Sequence, residues 1–338
     1  MSEEYLLEIK NLQKYFPIKK QFMKEKNFVR AVNSISFNVK KGETFGLVGE
    51  SGCGKSTTGR LINGLIESDS GEIIFNNRHL ENLKVKQWRS IRKEMQMIFQ
   101  DPYASLSPRM TVKEILMEPL EIHYNHLSKT EKEEKVQYLL KKCGINPYHL
   151  NKHAHEFSGG QRQRIGIARA LILQPQLIIA DEPVSALDVS IQSQILNLMK
   201  DLQDEFNLTY LFVSHDLSVI EFISDRIGVM YLGEIVEIST KEKIFIDPKH
   251  PYTKALLSAI PRIEEETVSE QEVTVEGDIP SASNPPAGCK FHTRCPVAME
   301  KCKTVNPEHY ILNNEQSVAC HLYEEEMAYY ESENKIHQ

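Results

Sequence analysis

Residues 44–56 read TFGLVGESGCGKS. The stretch begins with a short apolar run, Thr44 to Val48, continues as a glycine-rich loop and passes into a helical pattern at Ser56. The loop fits the pattern GxxxxGK[ST], whose glycines let backbone N–H groups turn inward around phosphate oxygens. The dipole of the following helix adds positive charge at the same point. The stretch therefore predicts a strand, a phosphate-binding loop and a helix in succession.

This phosphate loop, residues 49–57, is expected to bind the phosphates of a nucleotide together with Mg²⁺. Lys55 would reach the β- and γ-phosphates, and Ser56 would hold Mg²⁺ through its hydroxyl. The nucleotide-binding residues predicted in the loop are Gly49, Glu50, Ser51, Gly52, Cys53, Gly54, Lys55, Ser56 and Thr57.

A second apolar run, Leu177 to Ala180, ends in the carboxylates Asp181 and Glu182. Asp181 would bind Mg²⁺, usually through water, and Glu182 would polarise the attacking water as general base. Carboxylates also end strands as solvated turn residues. Their position downstream of a phosphate loop favours the catalytic interpretation.

Other segments extend the same pattern of strands and helices. Residues 209–213 and 227–231 are short apolar runs, and residues 34–39 alternate between polar and apolar. Residues 112–150 are mainly helical in pattern, and a further amphipathic helix is expected from Gly160. Near-continuous apolar strands separated by helical stretches predict an α/β fold with a parallel sheet covered on both faces.

The bulk composition excludes some classes of protein. The chain has 338 residues and a formal net charge of −7, so the overall charge gives no support to a nucleic-acid partner. It contains no run of 18 apolar residues and no signal peptide, so we expect a protein that stays in the cytosol and docks on a membrane protein.

A second anion cradle is predicted at Phe157-Ser158-Gly159-Gly160-Gln161. Ser158 would cap a helix whose N-terminal N–H groups, exposed by the two glycines, point at an incoming phosphate. The segment resembles the signature motif of ABC ATPases. In that family two subunits pack head to tail, so each ATP lies between one phosphate loop and the signature of the partner.

Further segments resemble ABC ATPase motifs in the expected order. Gln100 resembles the Q-loop glutamine, which reaches Mg²⁺ and the attacking water, and His215 resembles the switch histidine that contacts the γ-phosphate. Asp188 belongs to a D-loop that crosses the dimer interface. Phe16 resembles the aromatic residue that stacks on adenine and is preferred over Tyr15 by spacing, although a buried core aromatic remains an alternative.

The resemblance implies a P-loop NTPase fold with a mixed sheet core, an antiparallel β subdomain and a helical subdomain at about 87–170. The expected ABC ATPase domain covers residues 1–260. Residues 264–276 are acidic and have the composition of a linker. An extension at 261–323 and a charged tail at 324–338 would follow.

Residues 99–109 and 250–261 are similar to segments of ATPase subunits in oligopeptide and dipeptide importers, most closely the F-type subunit of oligopeptide permeases. A plain surface loop and an ordinary amphipathic helix are the alternatives. The resemblance implies a peripheral protein on the cytoplasmic side of the cell membrane. Its partners would be a sister ATPase in a heterodimer, two permease subunits and an external solute-binding protein. Import of nickel or another small solute, and a non-transport ABC ATPase, are the other functions considered.

Four cysteines cluster near the C-terminus: Cys289, Cys295, Cys302 and Cys320. In a reducing compartment such a cluster favours a metal site over disulfides. It resembles the extension of peptide-importer ATPases, which implies a [4Fe–4S] cluster; zinc and four reduced thiols are alternatives. A redox sensor that gates the ATPase is a further hypothesis.

The basic residues of a long insertion after Phe16 would contact anionic lipid or form a solvated loop. They are Lys19, Lys20, Lys24, Lys26 and Arg30.

Overall fold

The computed structural model describes residues 5–18, 28–81, 83–259, 277–313 and 316–324. The strands are β1 (Tyr5–Pro17), β2 (Phe28–Lys40), β3 (Thr44–Val48), β4 (Ser70–Phe75), β5 (Arg78–His79), β6 (Met95–Ile98), β7 (Leu177–Asp181), β8 (Thr209–Ser214), β9 (Arg226–Tyr231), β10 (Glu234–Thr240), β11 (Tyr310–Asn313) and β12 (Gln316–Val318). The helices are α1 (Lys55–Ile62), α2 (Val85–Glu94), α3 (Pro102–Ser105), α4 (Val112–His123), α5 (Lys129–Lys142), α6 (Gly159–Leu171), α7 (Val189–Phe206), α8 (Leu217–Ile223), α9 (Lys241–Ile246) and α10 (Pro251–Ser258).

The central sheet is mixed, with eight strands in the order β11-β12-β10-β9-β3-β8-β7-β6. The five strands from β9 to β6 are parallel to one another. Every residue of β3, β7 and β8 is buried, as expected for strands covered on both faces. The predicted strands at 44–48, 177–180, 209–213 and 227–231 are confirmed.

A separate antiparallel sheet has the strand order β2-β1-β4-β5. The alternation at 34–39 is confirmed, because Ile35, Phe37 and Val39 are all buried in β2. With the mixed sheet, this second sheet bears out the expected combination of a mixed core and an antiparallel subdomain.

Three helices, α4, α5 and α6, each begin with the same side-chain capping arrangement. In α4, α5 and α6 the residue before the helix accepts a hydrogen bond from a backbone N–H three residues on, and the side chain at that position binds back. Two orphan N–H groups are thereby satisfied at each start. The capping pairs are Thr111 with Glu114, Ser128 with Glu131, and Ser158 with Gln161.

The C-terminal hairpin β11–β12 adds to the central sheet through β10. Glu237 of β10 is fully buried, and its carboxylate accepts hydrogen bonds from the backbone N–H groups of Lys249 and His250 and from the amide of Gln316. This buried carboxylate therefore joins β10, the start of α10 and β12. The parallel sheet predicted from the apolar runs covers only the strands from β9 to β6, because β9, β10, β12 and β11 pair antiparallel, and the whole is the mixed sheet that the resemblance implied.

Several sequence predictions fall outside the described residues. These are the linker at 264–276, the lysines at 19–26 and most of the charged tail. The domain boundary at 260 lies there too and stays a prediction. Among the described residues, no helix is both long and apolar enough to cross a bilayer.

Candidate nucleotide-binding site

The site is built at the carboxyl ends of four neighbouring parallel strands. The phosphate loop follows β3, and Gln100 lies just beyond β6. Asp181 is the last residue of β7 and Glu182 is the next, and His215 follows β8. Parallel strands present their carboxyl ends at one edge of a sheet, and ligands bind in the crevice there. The topology therefore brings together residues that are far apart in sequence.

The phosphate loop passes into α1 through Gly54, whose φ of 110° lies in the left-handed region. A Cβ atom there would lie 2.0 Å from the carbonyl oxygen of Ala31, so a side chain does not fit. The Lys55 ammonium group is buried and donates to the carbonyl oxygens of Gly49 at 2.7 Å and Glu50 at 3.0 Å. The Lys55 ammonium group is thus hydrogen-bonded to the backbone of the loop itself.

Ser56 and Asp181, which were expected to share Mg²⁺, are directly bonded. The Ser56 hydroxyl donates to Asp181 Oδ1 at 2.7 Å. Asp181 is buried, and within the described part of the chain its Oδ2 has no hydrogen-bond partner. Burial raises the pKa of this carboxyl, and the hydrogen bond from Ser56 opposes the rise. A hydroxyl beside a buried, half-satisfied carboxylate is an oxygen donor set that fits a hard divalent cation.

Glu182 lies at the centre of a polar group. Its Oε2 accepts a hydrogen bond from Gln100 Nε2 at 2.9 Å and lies 3.1 Å from His215 Nδ1. The backbone at Glu182 is left-handed, with φ 46°, and its N–H donates to the carbonyl oxygen of Val213 at 3.0 Å. Non-glycine residues in this region carry strain and cluster at functional sites. The three side chains predicted as catalytic are therefore brought together.

The signature segment lies at the start of α6. Ser158 caps α6, and its backbone N–H donates to Gln161 Oε1 at 3.1 Å. A Cβ atom at Gly160 would lie 2.5 Å from Ile191 Cγ2, so this glycine permits close packing against the first turn of α7. Gly159 faces Leu187 in the same way, at 3.3 Å. Asp188, the residue before α7, is exposed.

The two candidate adenine-stacking residues differ in their bonding. The Tyr15 hydroxyl donates to Asn33 Oδ1, and Arg30 lies 5.8 Å from the centre of the Tyr15 ring. Phe16 is half-buried, and Lys14 Nζ lies 5.6 Å from its ring centre. The Tyr15 side chain is therefore tied to β2, whereas Phe16 has no polar group to tie.

The four clustered cysteines line one small cavity of about 10 Å³, together with His250, Phe291 and His321. Burial raises the pKa of Cys289 to about 12 and that of Cys320 to about 11. In the part of the chain that the structure describes, however, no group of three or more His, Cys, Asp or Glu side chains is arranged to hold a metal ion. The predicted [4Fe–4S] cluster and the zinc alternative therefore receive no direct support.

Sequence reasoning missed a set of residues that pack against the outside of the phosphate loop. Arg294 pairs with Glu50, the Tyr252 hydroxyl accepts a hydrogen bond from Glu50 N, and Tyr231 lies beside both. No sequence motif pointed to these contacts, because the partners lie about 200 or more residues apart in the chain.

A model of the ABC transporter family matches residues 32–185, which contain the phosphate loop, the Ser158 segment, Asp181 and Glu182. The chain is 53% identical to the oligopeptide transport ATP-binding protein AppF of Bacillus subtilis over 325 residues, covering 95% of this chain and 98% of that protein. The chain belongs to the ABC transporter family. It is one of the ATP-hydrolysing subunits of that family, and its fold is the ABC ATPase fold.

Further comparisons agree with this membership. The oligopeptide transport ATP-binding protein OppF of Haemophilus influenzae is 50% identical, covering 94% of this chain and 97% of that protein. A model of the oligopeptide/dipeptide transporter C-terminal region matches residues 236–302. The dimeric post-hydrolysis structure of the ATP-binding cassette MJ0796 with ADP and Pi has a TM-score of 0.61 and 30% identity, covering 70% of this chain and 98% of that one. The structure of cbiO1 from Clostridium perfringens has a TM-score of 0.62 and 27% identity, covering 72% and 92%.

Proposed function

We propose that this ABC ATPase couples ATP hydrolysis to the import of oligopeptides or dipeptides across the cytoplasmic membrane. The observation that carries the proposal is the 53% identity to an oligopeptide transport ATP-binding protein over nearly the whole of both chains. The match of residues 236–302 to a peptide-transporter C-terminal region supports the same cargo. None of the described residues forms a feature that favours nickel or a non-transport role over peptides.

In the proposed reaction, Lys55 leaves the loop carbonyls and pairs with the β- and γ-phosphates of ATP. Ser56 and Asp181 would hold Mg²⁺ between them, and the ion would neutralise charge on the phosphate oxygens. Glu182 accepts a proton from the attacking water, and Gln100 and His215 fix the position of its carboxylate. Cleavage releases inorganic phosphate and leaves ADP on the phosphate loop.

Phe16 is the proposed stacking surface for adenine. The support is that the Tyr15 hydroxyl is already bonded to Asn33, whereas Phe16 is a half-buried ring at the end of β1. Stacking without hydrogen bonds to the base edge would discriminate weakly between ATP and GTP.

The Ser158 segment is proposed to act on the ATP of a partner ATPase. Its glycines pack against Leu187 and Ile191, and no atom of the phosphate loop would lie within 4 Å of a Cβ atom at either glycine. A head-to-tail arrangement would place this surface, with the exposed Asp188, across the partner's nucleotide. The similar structure of MJ0796, which is a dimer bound to ADP and Pi, supports the pairing of two ATPase subunits. The partner proposed here is a distinct sister ATPase.

The membrane partners would dock beside β6. A cavity of about 310 Å³ opens between the central sheet and the helical region, and it is lined in part by Phe99, Leu106, Ile122 and Arg169. Such a mixed apolar and charged groove suits an amphipathic segment of a permease subunit. Two permease subunits and an external solute-binding protein complete the proposed importer, which places this chain peripherally on the cytoplasmic side.

For the cysteine extension we propose a [4Fe–4S] cluster held by Cys289, Cys295, Cys302 and Cys320. The support is that all four cysteines line one cavity within a short segment. Protein purified without oxygen would then contain iron and acid-labile sulfide, and Cys302→Ser would remove both. Cys143→Ser, a change at an isolated buried thiol, serves as control. Detection of zinc without sulfide would favour the zinc alternative. Absence of both iron and zinc would indicate that the four cysteines are reduced thiols.

The cargo is tested in cells whose own copy of the gene is deleted. Uptake of radiolabelled oligopeptide and of radioactive nickel is measured with and without the wild-type gene restored. Restored peptide uptake with unchanged nickel uptake is the expected result. Restoration of nickel uptake alone would refute the peptide assignment.

A further inference from the structure

The C-terminal extension is bonded directly to the phosphate loop. Arg294, which lies between Cys289 and Cys295 in the sequence, donates from Nη1 to Glu50 Oε1 at 3.1 Å and Oε2 at 3.0 Å, and from Nη2 to Oε1 at 3.1 Å. The Arg294 side chain is 11% exposed and that of Glu50 is 22% exposed. A forked contact of this kind fixes direction as well as distance.

A cluster of aromatic rings supports the same contact. The ring centres of Tyr231 and Tyr252 are 4.6 Å apart, and Phe291 of the extension lies 5.4 Å from each. The Tyr252 hydroxyl accepts a hydrogen bond from Glu50 N at 2.9 Å. Glu50 is therefore restrained through its side chain by Arg294 of the extension and through its backbone by Tyr252 of α10, on which Phe291 of the extension packs.

Glu50 also faces the interior of the loop. Its carbonyl oxygen accepts a hydrogen bond from Lys55 Nζ at 3.0 Å. The loop is thus held from outside by the extension and from inside by the lysine proposed to bind phosphate. A loop that presents N–H groups to phosphates binds more tightly when its shape is fixed beforehand, because less ordering is required on binding.

We propose that Arg294 is a positioning residue of the nucleotide site. Acting through Glu50, it holds the phosphate loop in its ATP-binding shape, so the C-terminal extension sets the affinity for ATP. Arg294 touches no reacting atom. The inference rests on the proposed use of the phosphate loop for ATP and assigns a role in nucleotide binding to a segment outside the ATPase motifs.

The test is the dissociation constant of ATP for the full-length chain, measured by titration calorimetry. Arg294→Ala should weaken binding by about tenfold, the effect of losing about 1.4 kcal/mol of preorganisation. Arg294→Lys should weaken binding less, because an ammonium group pairs with a carboxylate as a single point. In steady-state hydrolysis the KM for ATP should rise while kcat changes little.

A matched control separates positioning from stability. Arg226 and Glu43 form a comparable ion pair, 3.2 Å long and with side chains 17% and 6% exposed, beside the opposite end of β3. Arg226→Ala should lower the melting temperature without changing the affinity for ATP. An equal loss of affinity in this control would overturn the proposal, because the effect of Arg294 would then be general destabilisation.

A second control separates positioning from repulsion between ATP and an unpaired Glu50 carboxylate. In the double variant Glu50→Gln with Arg294→Ala that charge is absent, and affinity should stay low. Full recovery of affinity, or unchanged affinity in the single Arg294→Ala and Arg294→Lys variants, overturns the proposal. Wild type that binds no ATP, or Lys55→Ala that binds as tightly as wild type, would instead refute the proposed function.

Discussion

The substitution Glu182→Gln isolates the proposed general base. Glutamine has nearly the same shape as glutamate but cannot take a proton from water. Its amide oxygen can still accept the hydrogen bond that Gln100 Nε2 donates to Glu182 Oε2 at 2.9 Å. The backbone hydrogen bond from Glu182 N to Val213, at 3.0 Å, does not involve the side chain. We therefore expect the folded structure and ATP binding to persist.

The expected loss lies in the chemical step. Removal of a positioned general base slows a reaction by about 100-fold to 10 000-fold, which corresponds to about 3 to 5 kcal/mol. Loss of the contact with His215, 3.1 Å away in the native structure, would add at most about 1 kcal/mol. The chemical effect is thus larger than any change in ground-state bonding.

The assay measures phosphate release and ATP affinity on the purified full-length chain. Glu221→Gln is the matched control, because Glu221 is an exposed glutamate on α8. We expect this control to behave as wild type, and Glu182→Gln to bind ATP normally but hydrolyse it at least 100-fold more slowly, at the lower bound for loss of a general base. A decrease of less than threefold would refute the assignment of Glu182 as the base, because geometry alone would account for so small an effect.

Three further predictions concern stability and reactivity. Tyr252→Phe removes the acceptor for Glu50 N, so the free energy of unfolding in urea should fall by about 1 kcal/mol; no decrease would show that water replaces the hydroxyl. Burial raises the pKa of Cys53. Alkylation of its thiol, measured by mass spectrometry, should therefore be slow at neutral pH and faster as the pH rises, and activity should be lost in step. Rapid modification at neutral pH would contradict the buried position. Burial lowers the pKa of His250 from 6.5 to about 3. As the pH falls, the unfolded chain therefore takes up a proton on this histidine before the folded chain does. The free energy of unfolding should fall below pH 6.5 by about 1.4 kcal/mol per pH unit. His250→Asn keeps a capping side chain for α10 and should remove this part of the acid sensitivity; an unchanged pH profile would refute the assignment.

The sequence was sufficient to predict the core of the site because the signals are local. Asp181 ends the apolar strand β7, Glu182 and His215 directly follow β7 and β8, and parallel strands place such residues at one edge. The capped helix after Ser158 could likewise be predicted from its local sequence.

The resemblance implied a mixed sheet, but the apolar runs alone did not predict its antiparallel half, because the turn lacks the usual residues. The β9–β10 hairpin turns at Leu232 and Gly233, with φ values of 42° and 85°. A leucine in the left-handed region is uncommon, whereas asparagine or aspartate would have signalled the hairpin. Packing of the buried Leu232 side chain, 6% exposed, offsets the local preference.

The contact between the extension and the phosphate loop was beyond sequence reasoning for a different reason. Glu50 and Arg294 are separated by 244 positions, and neither belongs to a periodic pattern that would reveal its partner. Their pairing follows from the way in which Phe291 packs on Tyr231 and Tyr252. Such long-range side-chain packing is set by the complete fold.

The most direct test of the central claim is transport by the assembled importer reconstituted in lipid vesicles. Accumulation of a radiolabelled oligopeptide is measured with ATP, using complexes that contain wild type or the Glu182→Gln variant of this chain. We expect ATP-dependent accumulation with wild type and a strong loss with Glu182→Gln. Equal accumulation with both, or no peptide accumulation by an ATP-hydrolysing wild-type complex, would contradict the central claim.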